Sequence, residues 1–454
     1  MASVVERLQR LLPPERVSTR PADLEAAARD ESSLPPGRAD VVAWPVSTDE
    51  VATVVSCAAA TGTPLTARGA GSSLEGNPIP VRGGIVLDLS RMARVLAVRE
   101  GDLQVDVEPG VVYADLNRQL RPHGLFFPPS PGGSSDVATI GGMVANNASG
   151  IYSAKYGGTR THVRAATAVT GTGAVVRLGN RCRKDSSGYH LLGLVIGCEG
   201  TLAILTEITL ALAGLPAGRR RWAYAFPDDR AAARVIADLF RYGVDLAAAE
   251  FLDRSTVAAV NRLRGFDLTE APTLLLEAHG SDAALAEIAP AVESIAAERG
   301  ARPLRLQEER DPWMEVRHYA TRAVAALDPE AGIVRADLAV PISALPDLVE
   351  AGARAGGRRG REVFLFGHAG TGILHALVPA RAQGAAWQAA EATKDDLVES
   401  ALALGGAVSG EHGMGLGNRR FADRALGPAL DLMKGIKAVF DPKGILNPGK
   451  IWEG

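Results

Sequence analysis

The stretch "GHAGTGILH" (Gly367 to His375) holds His368 and His375, two of only eight histidines in the chain. On a helix their spacing of seven would put both rings on one face, but three glycines disfavour a helix there. A strand, a tight turn and a returning strand would instead bring the rings together. "SGEHGMGLG" (Ser409 to Gly417) adds Glu411 and His412, again framed by glycine. Two imidazoles and one carboxylate suit Zn²⁺ or another borderline divalent ion, with positions left open for a substrate. Either motif alone is better read as turn histidines satisfied by backbone carbonyls. Together, three histidines and a glutamate between residues 368 and 412 favour a site.

"DPWMEVRHYATRA" presents Trp313, Arg317 and Thr321 on a helical pattern. The planar guanidinium of Arg317 can grip a carboxylate with two parallel hydrogen bonds, which an ammonium cannot imitate. Taken alone, a surface arginine on a helix is the simpler reading.

Three glycine-rich segments supply a second chemistry. "ARGAGSSLEG" (Ala67 to Gly76) lacks the third glycine of GxGxxG, since Leu74 stands there, yet its glycines let successive N–H groups converge on an anion. "PPSPGGSSDVATIGGMVANNASG" (Pro128 to Gly150) and "GCEGTLAIL" (Gly197 to Leu205) repeat the theme of small residues beside apolar ones. Three such loops in one region point to backbone wrapped along an extended phosphate-bearing ligand, a dinucleotide.

The elements carrying these groups fall into two textures. From Val41 to Leu212, short β-branched runs such as "GGIVLDLS", "LQVDVEPG", "AATAVTGTGAVVRLG" and "TLAILTEITLAL" alternate with turns, and "DEVATVVSCAAATG" reads as a helix capped at Thr48/Asp49 and stopped at Gly62. After the linker "AGLPAGRRR", alanine-rich helices alternate with the strands "TLLLEAHG", "IVRADLAVP" and "EVFLFGHAG". The fold class expected is α+β. The division expected is a helical segment over 1–40, a cofactor domain over 41–215 and a substrate domain over 216–454.

Bulk properties narrow the function classes. The net charge of −3 argues against nucleic acid, and the basic knots "GRRRW" and "GGRRGR" read as solvated loop charge. Cys57, Cys182 and Cys198 form no CxxC pair and fit a reducing compartment. No apolar run approaches the roughly 20 residues that span a bilayer. The location expected is the cytoplasm, with peripheral membrane contact allowed, and a homodimer is the assembly considered.

"RGAGSSLEGN", "VEPGV", "PPSPGGSSDVATIGGMVANNASG", "KYGGTRTHV" and "IGCEGTLAILTEITL", in that order, resemble the PCMH-type FAD-binding domain of the vanillyl-alcohol oxidase/p-cresol methylhydroxylase superfamily. Within it the chain resembles the FAD-linked D-2-hydroxyacid dehydrogenases of the D-lactate dehydrogenase and glycolate oxidase kind. The resemblance implies a cap domain with an antiparallel sheet flanked by helices, its tail 440–454 returning to the flavin. It implies FAD contacts from Arg68, Gly69, Ala70, Gly71, Ser72, Ser73, Pro131, Thr139, Gly141, Gly142, Asn146, Ala148, Gly150, Tyr156, Glu199, Gly200, Ile204 and Asn447. Ser72 stands where covalent relatives carry histidine, so non-covalent FAD is expected.

The same resemblance assigns His368, His375 and Glu411 to a divalent metal, zinc first, and His412 to the catalytic base. Arg317, Thr321 and Arg335 would bind a small D-2-hydroxy acid, whose C2 hydride would pass to the flavin. The electron acceptor would be a quinone, a cytochrome or an electron-transfer flavoprotein. The chain departs from the family pattern at Thr371 (usually aspartate), Ile373 (asparagine), Ala203 and Ser149 (both glycine). Competing readings are an O₂-using FAD oxidase, a non-redox enzyme like alkylglycerone-phosphate synthase, and a flavin-binding accessory subunit.

Overall fold

The computed structural model describes residues 3–304 and 312–453; Asp311, at the head of the Arg317 segment, lies outside them. The chain forms two compact units. The first comprises residues 1–149, 157–215 and 411–454, and the second residues 150–156 and 216–410. The division thus falls differently from the sequence expectation. The whole stretch from Glu411, rather than the tail 440–454 alone, belongs with the cofactor loops, and Gly150–Tyr156 belongs with the second unit.

The first unit is built on two larger sheets and a two-stranded ladder of Leu125–Phe126 with Ala213–Gly214. Val41–Ala43, Ile85–Asp88 and Leu65–Arg68 run parallel in that order, with Val17–Ser18 antiparallel at the edge beside Val41–Ala43. Residues 1–40 are therefore partly strand rather than purely helical. The parallel strands read as near-continuous apolar runs because both faces are buried. Helix Thr48–Thr61 begins one residue before the expected cap: Ser47 is extended, and its hydroxyl accepts the Glu50 N–H. It ends at Gly62, as expected.

The second sheet is antiparallel, in the order Val95–Arg99, Gln104–Val107, Ala203–Ala211, Val163–Thr170, Val175–Gly179. Val105, Val107, Ile208 and Leu210 pack there against helices Tyr113–Leu120 and Ile140–Asn146. The C-terminal stretch lies beside Leu65, which donates to Ile445 O and accepts from Asn447 N. Lys437 pins it further, donating to Thr201 O and Leu446 O.

The second unit holds one seven-stranded antiparallel sheet. Its order is Arg302–Pro303, Gly218–Ala225, Thr273–Gly280, Leu246–Leu252, Phe364–Gly367, Ile373–Ala380, Gly332–Ala339. One face carries Leu252, Phe364, Phe366 and Leu377 under helices Arg254–Arg264 and Pro312–Leu327. Leu365 alternates to the other face, against helix Leu345–Arg359, where a Cβ on Gly352 would stand 2.7 Å from Leu365 Cδ1. The expected antiparallel sheet flanked by helices is what the chain forms.

The turn between Phe364–Gly367 and Ile373–Ala380 is the hinge read from "GHAGTGILH". Thr371 donates both its N–H and its hydroxyl to His368 O. Gly372 then takes φ +75°, and a Cβ there would stand 2.0 Å from Val340 O. Gly372→Ala therefore combines positive-φ strain with a backbone collision, and should lower unfolding stability by about 2 kcal/mol or more in urea titration.

Candidate active site

The second unit gathers its chemistry on the sheet face beneath helix Pro312–Leu327. Glu250 is the one charged residue in the strand "LAAAEFL" and has no solvent exposure. Its Oε1 and Oε2 both lie 2.9 Å from His368 Nδ1, and Oε2 accepts from Arg317 Nε at 2.6 Å. Arg317 Nη2 lies 3.2 Å from His368 Nε2. A guanidinium only donates, so this contact is a hydrogen bond where Nε2 accepts and the ring proton on Nδ1 is directed at Glu250. Burial pushes the Glu250 carboxyl up, but His368 and Arg317 outweigh it and hold the group below the ordinary glutamate range. Arg317, 7% exposed, also lies over the Phe366 ring at 4.9 Å.

His375 forms the second carboxylate–imidazole pair. Strand register sets it opposite Asp337 on one side and Phe366 on the other. Its Nδ1 is 3.2 Å from Asp337 Oδ1, and Asp337 Oδ2 accepts the Ser409 hydroxyl at 2.9 Å. The His368 and His375 rings meet edge-on at 5.4 Å, as the strand–turn–strand reading required. Arg335 shares the Asp337 face and reaches Ile333 O at 3.4 Å. Thr321 lies one turn beyond Arg317 on the same helix face. Imidazoles backed by buried carboxylates are the arrangement that orients metal-ligating histidines, so this donor pair fits a borderline divalent ion.

In the first unit, no backbone N–H of Ala70, Gly71, Ser72 or Ser73 meets an acceptor among the described residues. Four successive amides with Gly71 at φ +74° make a cradle for an anion, which fits a pyrophosphate. Gly69 lets this loop approach the second one, since a Cβ there would stand 2.3 Å from Thr139 Oγ1. Thr139 caps helix Ile140–Asn146 by accepting from Gly142 N, and Gly141 N donates to Pro109 O. Arg68 donates to Arg29 O.

The loop around His412 is held from this unit. Glu199, at φ +54°, accepts from Asn77 Nδ2 at 2.6 Å, Met414 N at 2.6 Å and Gly415 N at 2.8 Å. Its carboxylate is thus spent on the loop, and burial raises its pKa despite those donors. Asn146 Nδ2 donates to His412 O, and Ser149 Oγ donates to Glu411 Oε2 at 2.8 Å. Asn447 Nδ2 donates to Asn77 O and Glu199 O, and its Oδ1 accepts from the buried Lys450 amine.

Of the remaining expected contacts, Ala148, Gly200 and Ile204 lie in the first unit, as does Pro131, which opens the turn Gly132–Ser134. Gly150 and Tyr156 lie in the second. There the Tyr156 hydroxyl pairs with His279 Nδ1 at 2.9 Å, and His279 Nε2 with Glu277 at 2.5 Å. Sequence reasoning missed Glu250 and Asp337. The available signal was a lone carboxylate inside an apolar strand, "AAAEFL" and "VRADLAV", which is rarely buried without a partner.

Comparison with known proteins agrees with this architecture. The FAD linked oxidases, C-terminal domain family matches residues 215–451, and an FAD binding domain family matches residues 39–179. A mitochondrial D-lactate dehydrogenase [cytochrome] from Arabidopsis thaliana is 35% identical, the match covering 91% of this chain and 73% of that one. Glycolate oxidase subunit GlcD of Bacillus subtilis (strain 168) is 32% identical over 91% of this chain and 89% of its own. Among solved structures, p-cresol methylhydroxylase shares the fold with a TM-score of 0.82 at 16% identity, covering 99% of this chain and 96% of that chain. The chain belongs to the FAD-linked oxidase family and is an FAD-dependent oxidoreductase. Among the described residues, no helix is long and apolar enough to cross a membrane.

Lys450 gives this site a pH signature. Burial pushes its ammonium down to about 8 from 10.5, with Glu199 opposing. Between those values the unfolded chain holds a proton the folded chain lacks, so stability rises with pH across the window and falls as pH drops through about 8. The urea stability of wild type relative to Lys450→Met should therefore climb by up to about 3 kcal/mol from pH 8 to 10.5, at fixed FAD. A flat difference would show that Lys450 titrates alike in both states.

Proposed function

We propose that the protein oxidises a short D-2-hydroxy acid, of the D-lactate or glycolate type, to the 2-oxo acid with non-covalent FAD. The observation that carries this reading is the buried Arg317–Glu250–His368 triad, which sets a carboxylate-binding fork beside a proton-free imidazole nitrogen. The names of the two relatives, a D-lactate dehydrogenase and a glycolate oxidase subunit, support the same substrate class. Apolar Leu377 opposite Arg335 in register favours a short substrate side chain.

The roles follow from the chemistry of each group. Amides of Gly69 to Ser73 hold the FAD pyrophosphate, with the Thr139–Gly142 segment behind them. Arg317 takes the substrate carboxylate through its Nη fork, since Nε is committed to Glu250, and Thr321 and Arg335 assist. His368, His375 and Glu411 bind a divalent ion, zinc first, with Ser149 orienting the glutamate. His412 accepts the C2 hydroxyl proton, the role for which imidazole is suited near neutral pH. When bound, FAD takes the C2 hydride and the metal polarises the hydroxyl. The electrons then pass to a quinone, a cytochrome or an electron-transfer flavoprotein.

Anaerobic mixing of the flavoprotein with a panel of D- and L-2-hydroxy acids tests the reading directly. Flavin absorbance should bleach with D-lactate or glycolate and persist with L-lactate. His412→Ala should retain FAD yet reduce it at least about 100-fold more slowly. Unchanged single-turnover reduction in that variant would remove His412 from the chemistry. Rigorous metal stripping should likewise slow reduction and added zinc restore it; full activity without metal rules the ion out.

A further inference from the structure

The contact between Arg317 Nη2 and His368 Nε2 has no part in the reaction outlined above. We infer that Arg317 and a divalent cation compete for Nε2 of His368, with Glu250 holding Arg317 in the competing position. Cation and substrate carboxylate consequently bind with positive coupling. This rests on the reading of Arg317 as the carboxylate anchor and of His368 as a metal ligand.

Three distances define the arrangement. Glu250 Oε2 takes Arg317 Nε at 2.6 Å, which fixes the guanidinium plane and leaves the Nη1/Nη2 end as its only two-pronged face. Nη2 of that end is 3.2 Å from His368 Nε2. Both Glu250 oxygens lie 2.9 Å from His368 Nδ1, which keeps the ring proton on Nδ1 and the lone pair on Nε2. The single lone pair of His368 Nε2 thus has two claimants, and the guanidinium that claims it is also the carboxylate anchor. His368 Nε2 can serve Arg317 or a cation; Nη2 carries two N–H groups, so a carboxylate competes with His368 by drawing the whole Nη1/Nη2 fork away from Nε2. A cation on His368 releases Nη2 for the substrate, and a carboxylate on Arg317 releases Nε2 for the cation. Linkage makes the effect reciprocal, so each ligand tightens the other by the same factor. Glu250 is a positioning residue here: it touches neither ligand and sets the geometry of both claimants.

The test titrates Zn²⁺ into metal-stripped, FAD-loaded enzyme by calorimetry, alongside steady-state KM for the hydroxy acid. Arg317→Met should bind Zn²⁺ about fivefold or more tightly than wild type. Arg322→Met, which removes an exposed arginine from the same helix, should stay within about twofold. 2-Hydroxyisobutyrate, which has no C2 hydrogen to lose, should tighten Zn²⁺ binding in wild type and do so less in Arg317→Met. If the lone Glu250 charge prevents Arg317→Met from folding, Glu250→Gln/Arg317→Met is compared with Glu250→Gln. The double variant should again bind Zn²⁺ more tightly, because glutamine still accepts from His368 Nδ1.

Zinc affinity in Arg317→Met equal to or weaker than wild type overturns the competition, as does a gain that survives addition of His368→Ala. A raised KM with unchanged zinc affinity overturns it while leaving Arg317 as the anchor. Tighter zinc with unchanged KM upholds the competition for His368 and removes Arg317 from the carboxylate.

Discussion

The second unit depends on one buried charge. A carboxylate without solvent contact survives only where donors meet its oxygens, because desolvation costs several kcal/mol per ion. Glu250 finds its donors on two other elements, Arg317 on helix Pro312–Leu327 and His368 at the end of strand Phe364–Gly367. Strand order makes this possible, since Leu246–Leu252 and Phe364–Gly367 are neighbours in the sheet. The helix must then lie across that face at the depth that lets a guanidinium reach Oε2. The sheet register, the helix position and the imidazole tautomer are in this sense one constraint expressed three times.

The first unit solves a similar problem with Glu199. Its carboxylate is buried and holds two backbone amides of the loop that follows His412, while Asn447 donates to its carbonyl. The chain reaches this point from three distant stretches, around Asn77, Glu199 and Met414. Loops normally carry their polar backbone to water, and one that turns inward needs such a partner. A glutamate serves better than an amide side chain, because an ionised carboxylate accepts at all its lone pairs and asks nothing in return.

The legible part of the sequence was the part whose signal is local. Glycine spacing announced the turn in which Gly71 takes φ +74°, and "GHAGTGILH" announced a hairpin, because turn chemistry is written in neighbouring residues. Alternating β-branched runs announced the strands. Glu250 and Asp337 were not legible, since each is explained only by partners brought together by strand pairing or by a helix laid over the sheet. Glu250 meets Arg317 and His368, and Asp337 meets His375 and Ser409. The unit boundary at Glu411 was obscured for the same reason: nothing in "SGEHGMGLG" says that Gly410 N bonds to Asp337 O while Gly415 N bonds to Glu199. Nothing in "GCEGTLAIL" says that the Glu199 carboxylate accepts from Asn77, Met414 and Gly415, because those partners are far away in sequence.

The departures from the family pattern have local physical reasons. Thr371, in place of an aspartate, returns its hydroxyl and N–H to His368 O and tightens the turn that presents the imidazole. Ile373, in place of an asparagine, is buried, and a Cβ on Gly410 would stand 2.9 Å from its Cγ atoms. Ile373 has given up a polar side chain on the histidine hairpin, and Thr371 spends its hydroxyl on His368 O. Orientation of the His368 imidazole falls to Glu250, which approaches from a neighbouring strand rather than from the turn itself, while Asp337 Oδ1 lies 3.2 Å from His375 Nδ1. Ser149, in place of a glycine, adds a hydroxyl that bonds to Glu411. Polar support lost within the hairpin is thus supplied from the sheet, whose geometry is far stiffer than a turn, and the imidazoles are held by the fold's most buried charges.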